Sequence, residues 1–324
     1  MDSKTKIKID EKQLQAVAGR IWGKDGKIKK IEFNNEGWFN SIYQLTLADD
    51  REYMMKIAPP RQIPVLRYEK DILKKEAAVL EYIKTNSDVP VPEVIFKDYS
   101  SELVPEDFFV MSKLKGKSLE NMKGQLSEEK LSSINREKGS VNRKINEINS
   151  NDFGHFTDNS QRFSNWADAF MKMVEDLMAD AVDYKAKLPL SAGEIIGIFN
   201  RQYDNYKSMG KASLVHWDLW DGNVIIGPEG DIQGIIDCDR AYWGDPLSET
   251  WFSLMFPQPE EFFAGYGTDL LSSENAVARR KTYDLYLALI LYIECIPRGL
   301  EGSGYAKWAY QNLEKELQKR QKDL

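Results

Sequence analysis

The chain has 324 residues, carries a net charge of −7 and is 42% hydrophobic. This length accommodates about two domains and a core that needs no disulfide or metal to hold it together. Two cysteines and two scattered histidines exclude a structural zinc site and a disulfide framework. Any chemistry must therefore depend mainly on carboxylates, lysines and hydroxyl groups.

The charge is unevenly distributed, with a net of +3 over residues 1–150 and −10 over residues 151–324. The acidic half is either a solubilising surface or a surface for a cationic partner, and it argues against a nucleic-acid partner. The longest uncharged apolar stretch, 286–293, is too short to span a membrane. The first residues also lack the apolar core of a signal peptide. We therefore expect a cytoplasmic protein without a membrane partner.

The first hundred residues predict a small β-rich unit. Strand patterns cover 27–33, 41–47, 52–58 and 107–112, and the turn-rich residues 48–51 make 41–58 a β-hairpin. Apolar residues at helical spacing predict a helix over 68–84. The Val-Pro-Val-Pro segment at 89–92 forces an extended chain.

The remainder of the chain is mostly helix-patterned. Residues 116–150 are polar with helical character, and further helices are predicted over 163–188, 191–208 and 308–322. A compact strand–turn–strand unit covers 223–236. The predicted organisation is an α+β protein with a β-rich lobe over 1–115 and a larger α-rich lobe over 116–324.

The strongest chemical signal lies between two apolar strands. His216, Asp218 and Asn223 fall in one polar loop, and fourteen residues after Asn223 comes Asp237 at the end of another apolar strand. Loops that join strands present side chains to a common point. Carboxylate and amide oxygens are the ligands of Mg²⁺ when phosphates complete its coordination. The pattern favours phosphoryl transfer from Mg-ATP, where a protein mainly positions groups and neutralises charge.

A lysine and a glutamate interrupt two apolar patterns in the first lobe. Lys56 lies in the apolar strand 53–58, and Glu76 lies on the apolar face of the predicted helix 68–84. A lone buried carboxylate is costly, so Glu76 needs a cation, and Lys56 is the expected partner. The alternative is a solvated lysine and a half-exposed glutamate.

The motif His216-x-Asp218-x4-Asn223, followed by Ile236-Asp237-x-Asp239 and Gly244-Asp245-Pro246, resembles the aminoglycoside phosphotransferase family. That family is related to choline kinases and fructosamine kinases and has a two-lobed protein-kinase-like fold. The resemblance implies a small-molecule kinase that transfers the γ-phosphoryl group of ATP, with Mg²⁺, to a hydroxyl of a small acceptor.

The resemblance also implies roles for the motif residues. Asp218 would receive or orient the proton of the acceptor hydroxyl, and Asn223 and Asp237 would hold magnesium. Lys56 would hold the phosphates of ATP, and Glu76 would fix Lys56.

Two further residues of the motif are expected to support the site without touching substrate. His216 would brace the catalytic loop by hydrogen bonding. Asp245, ahead of Pro246, resembles a residue that anchors the following segment.

Two segments are expected to contact the nucleotide. Gly37, Asn40 and Ser41 lie in the turn between the first two predicted strands, where Gly37 supplies unusual backbone angles and the other two offer polar groups to phosphate. The resemblance further places the adenine at the connector between the lobes. Backbone groups around Ser112 would bond the edge of the base, with Met111 and Leu114 on its faces.

Three residues are candidates for contact with the acceptor. Asp239 either lines the acceptor site or caps a turn. Trp220 and Trp243 are aromatic residues near the motif that would suit a cationic or ring-bearing acceptor. The acceptor itself stays open between an aminoglycoside-like antibiotic and an amino-alcohol or sugar metabolite.

Two short motifs are set aside. Asp152-Phe153-Gly154 spells the metal-binding tripeptide of protein kinases but precedes the catalytic loop, and Gly116-Lys117-Ser118 lacks the first glycine of a P-loop.

A protein kinase is disfavoured because no Ala-Pro-Glu-like anchor follows Asp237. A catalytically dead nucleotide-binding scaffold is disfavoured because the motif residues are all intact.

Overall fold

The computed structural model describes residues 5–34 and 39–322, and it confirms the predicted two-lobed α+β architecture. The first lobe contains a five-stranded antiparallel sheet in the order β1-β2-β3-β5-β4. Its strands are β1 (Ile28–Asn34), β2 (Ser41–Leu47), β3 (Glu52–Ile57), β4 (Val94–Asp98) and β5 (Phe108–Ser112). Two helices accompany the sheet, α1 (Glu11–Trp22) and α2 (Ile72–Asn86).

The two faces of this sheet have different partners. Tyr43 and Leu45 of β2 alternate with outward residues and pack with Leu14 and Val17 of α1 in one apolar cluster. Because side chains alternate along a strand, Lys56, which pairs with Ile42 across β2 and β3, lies on the opposite face. That second face is turned toward the rest of the molecule, so Lys56 is directed into the space between the lobes.

The helix predicted over 68–84 begins four residues later in the structure. Residues 67–69 form a separate 3₁₀ turn in which the Glu69 carboxylate accepts a hydrogen bond from Leu66 N at 2.8 Å. Asp71 then has a left-handed backbone, with φ of 53°, which an α-helix cannot contain. Two local signals that compete with helix formation therefore delay the start of α2.

The second lobe consists mainly of helices: α3 (Leu119–Met122), α4 (Glu128–Asn146), α5 (Trp166–Asp183), α6 (Ala192–Asn200), α7 (Tyr203–Lys207), α8 (Glu260–Tyr266), α9 (Glu274–Ile293) and α10 (Gly304–Lys322). The helix predicted over 191–208 is thus two helices with a break at 201–202. Among the described residues, none of the helices combines the length and the apolar character that crossing a membrane requires.

Two small antiparallel sheets carry the motif of the second lobe. Their strands are β6 (Lys117–Ser118), β7 (Asn149–Ser150), β8 (Phe153–His155), β9 (Arg162–Phe163), β10 (Ala212–Val215), β11 (Val224–Ile226), β12 (Ile232–Ile235) and β13 (Tyr242–Gly244). The strand orders are β7-β10-β13-β8-β9 and β12-β11-β6. The loop from β10 to β11 and the segment from β12 to β13 both connect these two sheets, and the strands they join pair as β10 with β13 and β11 with β12.

Glycine allows α4 and α8 to cross at very short distance. A methyl group added to Gly139 of α4 would overlap the carbonyl oxygen of Phe262, and one added to Gly265 of α8 would overlap the carbonyl oxygen of Arg136. Both obstacles are backbone atoms, which cannot move aside as a flexible side chain can. The crossing therefore requires glycine on both helices.

We predict that Gly265→Ala lowers the free energy of unfolding by about 1–3 kcal/mol, because the helices must separate. The matched control is Gly197→Ala in α6, where nothing lies within 4 Å of the added methyl. That change should raise stability by up to about 1 kcal/mol, since alanine favours a helix over glycine. Urea denaturation of the two variants measures both effects. Changes of the same sign in the two variants would contradict the claim that the crossing of α4 and α8 requires glycine.

Candidate active site

The loop between β10 and β11 is braced by a neutral histidine. His216 Nδ1 accepts a hydrogen bond from Asp218 N at 3.3 Å, and its Nε2 donates to the carbonyl oxygen of Ile236 at 3.1 Å. Burial lowers the pKa of His216 to about 4, so the ring is neutral and its single N–H is on Nε2. His216 thereby ties the Asp218 loop to the strand end that carries Asp237.

Asn223 closes the same loop from its other end. Its Nδ2 donates to the carbonyl oxygen of Asp218 at 2.8 Å, and the residue is buried. The Asp218 side chain is 28% exposed, and burial raises the pKa of its carboxyl. The loop therefore presents one partly accessible carboxylate from a backbone that is fixed on both sides.

A buried glutamate that the sequence analysis did not identify holds the start of this loop. Glu249 accepts backbone hydrogen bonds from His216 N at 2.7 Å and from Trp217 N at 2.8 Å. Trp217 has a left-handed backbone, with φ of 67°, which is costly for a bulky residue. Two charge-assisted bonds to consecutive N–H groups stabilise that conformation. The only sequence signal for Glu249 is its place four residues after Asp245.

Lys56 and Glu76 form the predicted ion pair, and Asp237 joins it. Lys56 Nζ lies 2.6 Å from Glu76 Oε1 and 2.7 Å from Asp237 Oδ1. Burial lowers the pKa of Lys56, but Asp237 and Glu76 outweigh it, and the net shift is upward. Burial raises the pKa of Glu76 to about 7 despite the neighbouring ammonium. A residue of the first lobe is therefore bound to both α2 and the motif of the second lobe.

Asp239 belongs to the same buried group. Carboxylate oxygens of Glu76, Asp237 and Asp239 lie within 4.8 Å of one another. Asp239 is buried, and its Oδ1 has no hydrogen-bond partner among the residues that the structure describes. Burial, followed by the two neighbouring carboxylates, raises the pKa of Asp239 well above its usual range. The side chain neither caps the turn nor lines an open surface, so neither predicted role is supported.

An arginine next to Asp239 contacts the catalytic loop, and no sequence pattern indicated it. Arg240 Nε lies 3.9 Å from Asp218 Oδ2, and its Nη2 lies 3.1 Å from Glu294. The guanidinium lies over the rings of Tyr68 and Trp217, 5.7 Å from each ring centre. Arg240 lowers the pKa of Asp218 and so partly offsets its burial.

The donor set at Asn223 and Asp237 suits a magnesium ion. Asn223 uses its amide nitrogen for the loop, which leaves its amide oxygen as the remaining group. Asp237 uses Oδ1 for Lys56, and its side chain is 35% exposed. Hard oxygen ligands with an accessible side match the requirement of Mg²⁺ for a few protein ligands and phosphate oxygens.

The predicted phosphate-contacting turn receives limited support. Gly37 lies outside the described residues. Asn40 is buried, and its Oδ1 has no hydrogen-bond partner among the residues described. The prediction for Ser41 is not supported, because its hydroxyl oxygen accepts a hydrogen bond from Ile7 N at 2.7 Å. Ser41 also shares a strand face with Tyr43, opposite to that of Lys56.

The residues of the connector between the lobes differ in whether they are free to contact a nucleotide base. Met111 pairs with Met54 and therefore shares the face of Lys56. Ser112 donates its N–H to the carbonyl oxygen of Glu93 at 2.8 Å, so that donor is not free for a base. Leu114 lies against Gly234, where β12 passes close to the connector. The surface next to Lys56 is thus apolar, as a flat aromatic base requires.

Of the remaining residues predicted for the site, one is accessible to a ligand and two are buried in the structure. Trp220 is 51% exposed beside the catalytic loop. Trp243 is buried, with its ring stacked on Phe156 at 5.4 Å, so its predicted contact with the acceptor is not supported. Asp245 is buried and accepts from Arg279 Nε at 2.7 Å and Tyr283 OH at 2.8 Å, which fits an anchor.

Comparison with known proteins shows the family to which the chain belongs. The family model described as "Phosphotransferase enzyme family" matches residues 30–283. A Klebsiella pneumoniae protein named as a probable ketoamine kinase is 36% identical over 78 residues, which are 24% of this chain and 61% of that protein. The matched stretch is thus less than two thirds of that relative.

Solved structures share the fold at low identity. A fructosamine-3-kinase candidate from Thermobifida fusca gives a TM-score of 0.68 at 17% identity, over 94% of this chain and 99% of that one. A thermostable mutant of aminoglycoside phosphotransferase APH(4)-Ia, in ternary complex with AMP-PNP and hygromycin B, gives 0.64 at 17% identity. That match covers 94% of this chain and 98% of the other.

We predict that Glu249→Ala lowers the free energy of unfolding by about 2 kcal/mol or more, since two buried N–H groups lose their acceptor. Glu249→Gln keeps one acceptor oxygen and should lie between this variant and the wild type. The control Glu147→Ala removes an exposed pair with Arg143 and should change stability by no more than about 0.5 kcal/mol. Denaturant unfolding measures all three, and equal effects for Glu249→Ala and Glu147→Ala would contradict the role of Glu249.

Proposed function

Because the chain belongs to the phosphotransferase enzyme family, we propose that it is an ATP-dependent kinase for a small amine-bearing carbohydrate. The observation that carries this proposal is the link between the Asp218 loop and the Lys56–Asp237 ion pair. His216 ties the loop of the partly accessible Asp218 carboxylate to the strand end that carries Asp237. Asp237 in turn binds the buried ammonium of Lys56. Phosphoryl transfer needs these two groups, one for the acceptor and one for the phosphates.

On the nucleotide side, Lys56 would bind the phosphates of ATP. Its ammonium is held from two directions by Glu76 and Asp237, which fixes the direction of its one remaining N–H donor. Asn223 and Asp237 would hold magnesium, which when bound neutralises charge on the phosphates. Met111 and Met54 would supply the apolar surface under the base.

On the acceptor side, Asp218 would accept the proton of the attacking hydroxyl. Burial raises its pKa, which makes the carboxylate a stronger base than that of an ordinary aspartate. Arg240 orients the carboxylate from 3.9 Å. The exposed ring of Trp220 lies in the same loop and is the side chain best placed to pack on a sugar or a cationic group.

A ketoamine is the acceptor class that we favour. The relatives that match by sequence are named as ketoamine kinases, and the acidic charge of residues 151–324 suits an amine. An aminoglycoside is the second candidate, favoured by the same charge. A protein substrate is disfavoured because only a 3₁₀ turn and β13 separate Asp237 from Asp245, which leaves no room for a long activation segment.

An acceptor screen tests the proposal. ATP consumption with Mg²⁺ would be measured with a fructosyl-amine, an aminoglycoside and the parent neutral sugar. We expect turnover with the fructosyl-amine and formation of its phosphate ester by mass spectrometry. Turnover with the aminoglycoside alone would show that the acceptor is an aminoglycoside and not a ketoamine. Absence of ATP consumption with every hydroxyl compound would contradict the proposed kinase activity.

We predict that Asp218→Asn lowers kcat by about 10²–10⁴-fold, because the amide cannot accept the hydroxyl proton. The control is Asp204→Asn, an exposed aspartate on α7, which should leave kcat unchanged. Both variants would be assayed at saturating ATP with a confirmed acceptor. Full turnover by Asp218→Asn would contradict the role of Asp218.

The pH dependence of kcat/KM provides an independent prediction. Asp218 must be ionised to act, and burial raises its pKa above the ordinary value of 3.8. The rate should therefore fall as the pH is lowered through this raised pKa, with a midpoint above that of an exposed aspartate. A pH–rate profile measures the midpoint, and a rate that stays constant down to pH about 4 would contradict it.

A further inference from the structure

A cavity of about 730 Å³ lies beside the candidate active site. It is enclosed by the first half of α2, by β8, and by α5 and α9. Its volume is within the range of about 300–1,000 Å³ that is typical of small-molecule sites. Of the described residues, neither Asp218 nor Lys56 lines it, and Arg240 and Trp217 form the wall nearest the catalytic loop.

Lys75 lines this cavity without a partner. The residue is 3% exposed, and its ammonium has no ion pair or hydrogen bond within the part of the chain that the structure describes. Its neighbour Lys74 differs, because Lys74 Nζ lies 2.8 Å from Asp71 and 3.2 Å from Asp107. A buried ammonium without a counter-ion is costly, and proteins keep such groups where a ligand completes them.

The carboxylates in the cavity wall do not neutralise Lys75. Each accepts hydrogen bonds from a cation, a hydroxyl or a backbone N–H other than Lys75, and they are Asp71, Asp158, Asp176 and Asp180. Burial and, to a smaller extent, Arg240 lower the pKa of Lys75 to about 8, and Asp239 and Glu69 offset this only in part. At neutral pH most of the lysine is still a cation. Among the described residues, the cavity therefore contains one buried positive charge without an ion pair.

The other side chains that line the cavity indicate the chemical character of the ligand. Aromatic and aliphatic side chains form most of the inner wall: Phe163, Leu177, Trp217, Tyr242, Tyr286 and Ile290. His155 lies on the same wall, and burial lowers its pKa to about 4, so it offers a neutral ring with one N–H. Other basic side chains also line the cavity, but Lys75 is the one of them that is buried and without an ion pair among the described residues. An apolar inner wall with this cation and one neutral donor suits an anionic group on a flat or apolar body.

We propose that this cavity binds a small organic anion, a carboxylate or a phosphate ester on a ring-bearing or apolar body, with Lys75 as its charged partner. The site lies next to the Lys56–Glu76 pair along the chain, since Lys75 precedes Glu76 on α2. Neither Lys56 nor its ion-pair partners Glu76 and Asp237 line the cavity.

The experiment uses ring compounds that differ only in charge. Isothermal titration of the full chain would compare benzoate and phenyl phosphate with the neutral benzamide. We expect saturable one-to-one binding of at least one anion and none of benzamide. The tighter anion identifies whether a carboxylate or a phosphate ester is preferred.

Matched variants locate the binding. Lys75→Met keeps the length of the side chain and removes its charge, and we expect it to weaken anion binding by about tenfold or more. Lys75→Gln is a second variant that keeps a polar end. Lys74→Met and Lys56→Met should bind the anion as the wild type does.

Three results would overturn the proposal. They are no saturable binding of either anion, equal binding of benzoate and benzamide, and wild-type affinity in both Lys75 variants. Loss of binding in Lys56→Met with retention in Lys75→Met would place the anion at the nucleotide site instead. None of these measurements depends on turnover, so they stand apart from the test of the proposed kinase activity.

Discussion

The need to pair a buried ammonium determines how the two lobes meet. Lys56 lies on a strand of the first lobe, and its two partners come from α2 and from the segment after β12. Neither Glu76 nor Lys56 can be left alone without a penalty of several kcal/mol. The ion pairs therefore fix the position of α2 against the sheet and bring Asp237 of the second lobe to the same point.

A second buried carboxylate, that of Glu249, fixes the backbone of the catalytic loop. Glu249 accepts two consecutive N–H groups and holds Trp217 in a left-handed conformation, while His216 ties the loop to Ile236. The backbone that carries Asp218 is thus fixed by groups that do not touch the acceptor. Such a support is what precise positioning of a reacting carboxylate requires.

The extent to which these features were predictable depends on where their partners come from. Lys56 and Glu76 could be paired because each interrupts an apolar pattern of its own element. Glu249 and Arg240 could not be identified, because their partners are backbone N–H groups and residues distant in the chain. The prediction for Ser41 lacked information of the same kind, since the alternation of side chains along β2 does not show which face α1 covers. The delayed start of α2 depends on the left-handed Asp71, which hydrophobic spacing does not reveal.

MgATP-dependent phosphorylation of a confirmed acceptor, measured in the wild type and in Lys56→Met, tests the role of the Lys56 ion pairs most directly. We expect the variant to stay folded, because Glu76 can become protonated when its partner is removed, and to lose phosphoryl transfer. A folded Lys56→Met protein that phosphorylates the acceptor at the wild-type rate would contradict that role.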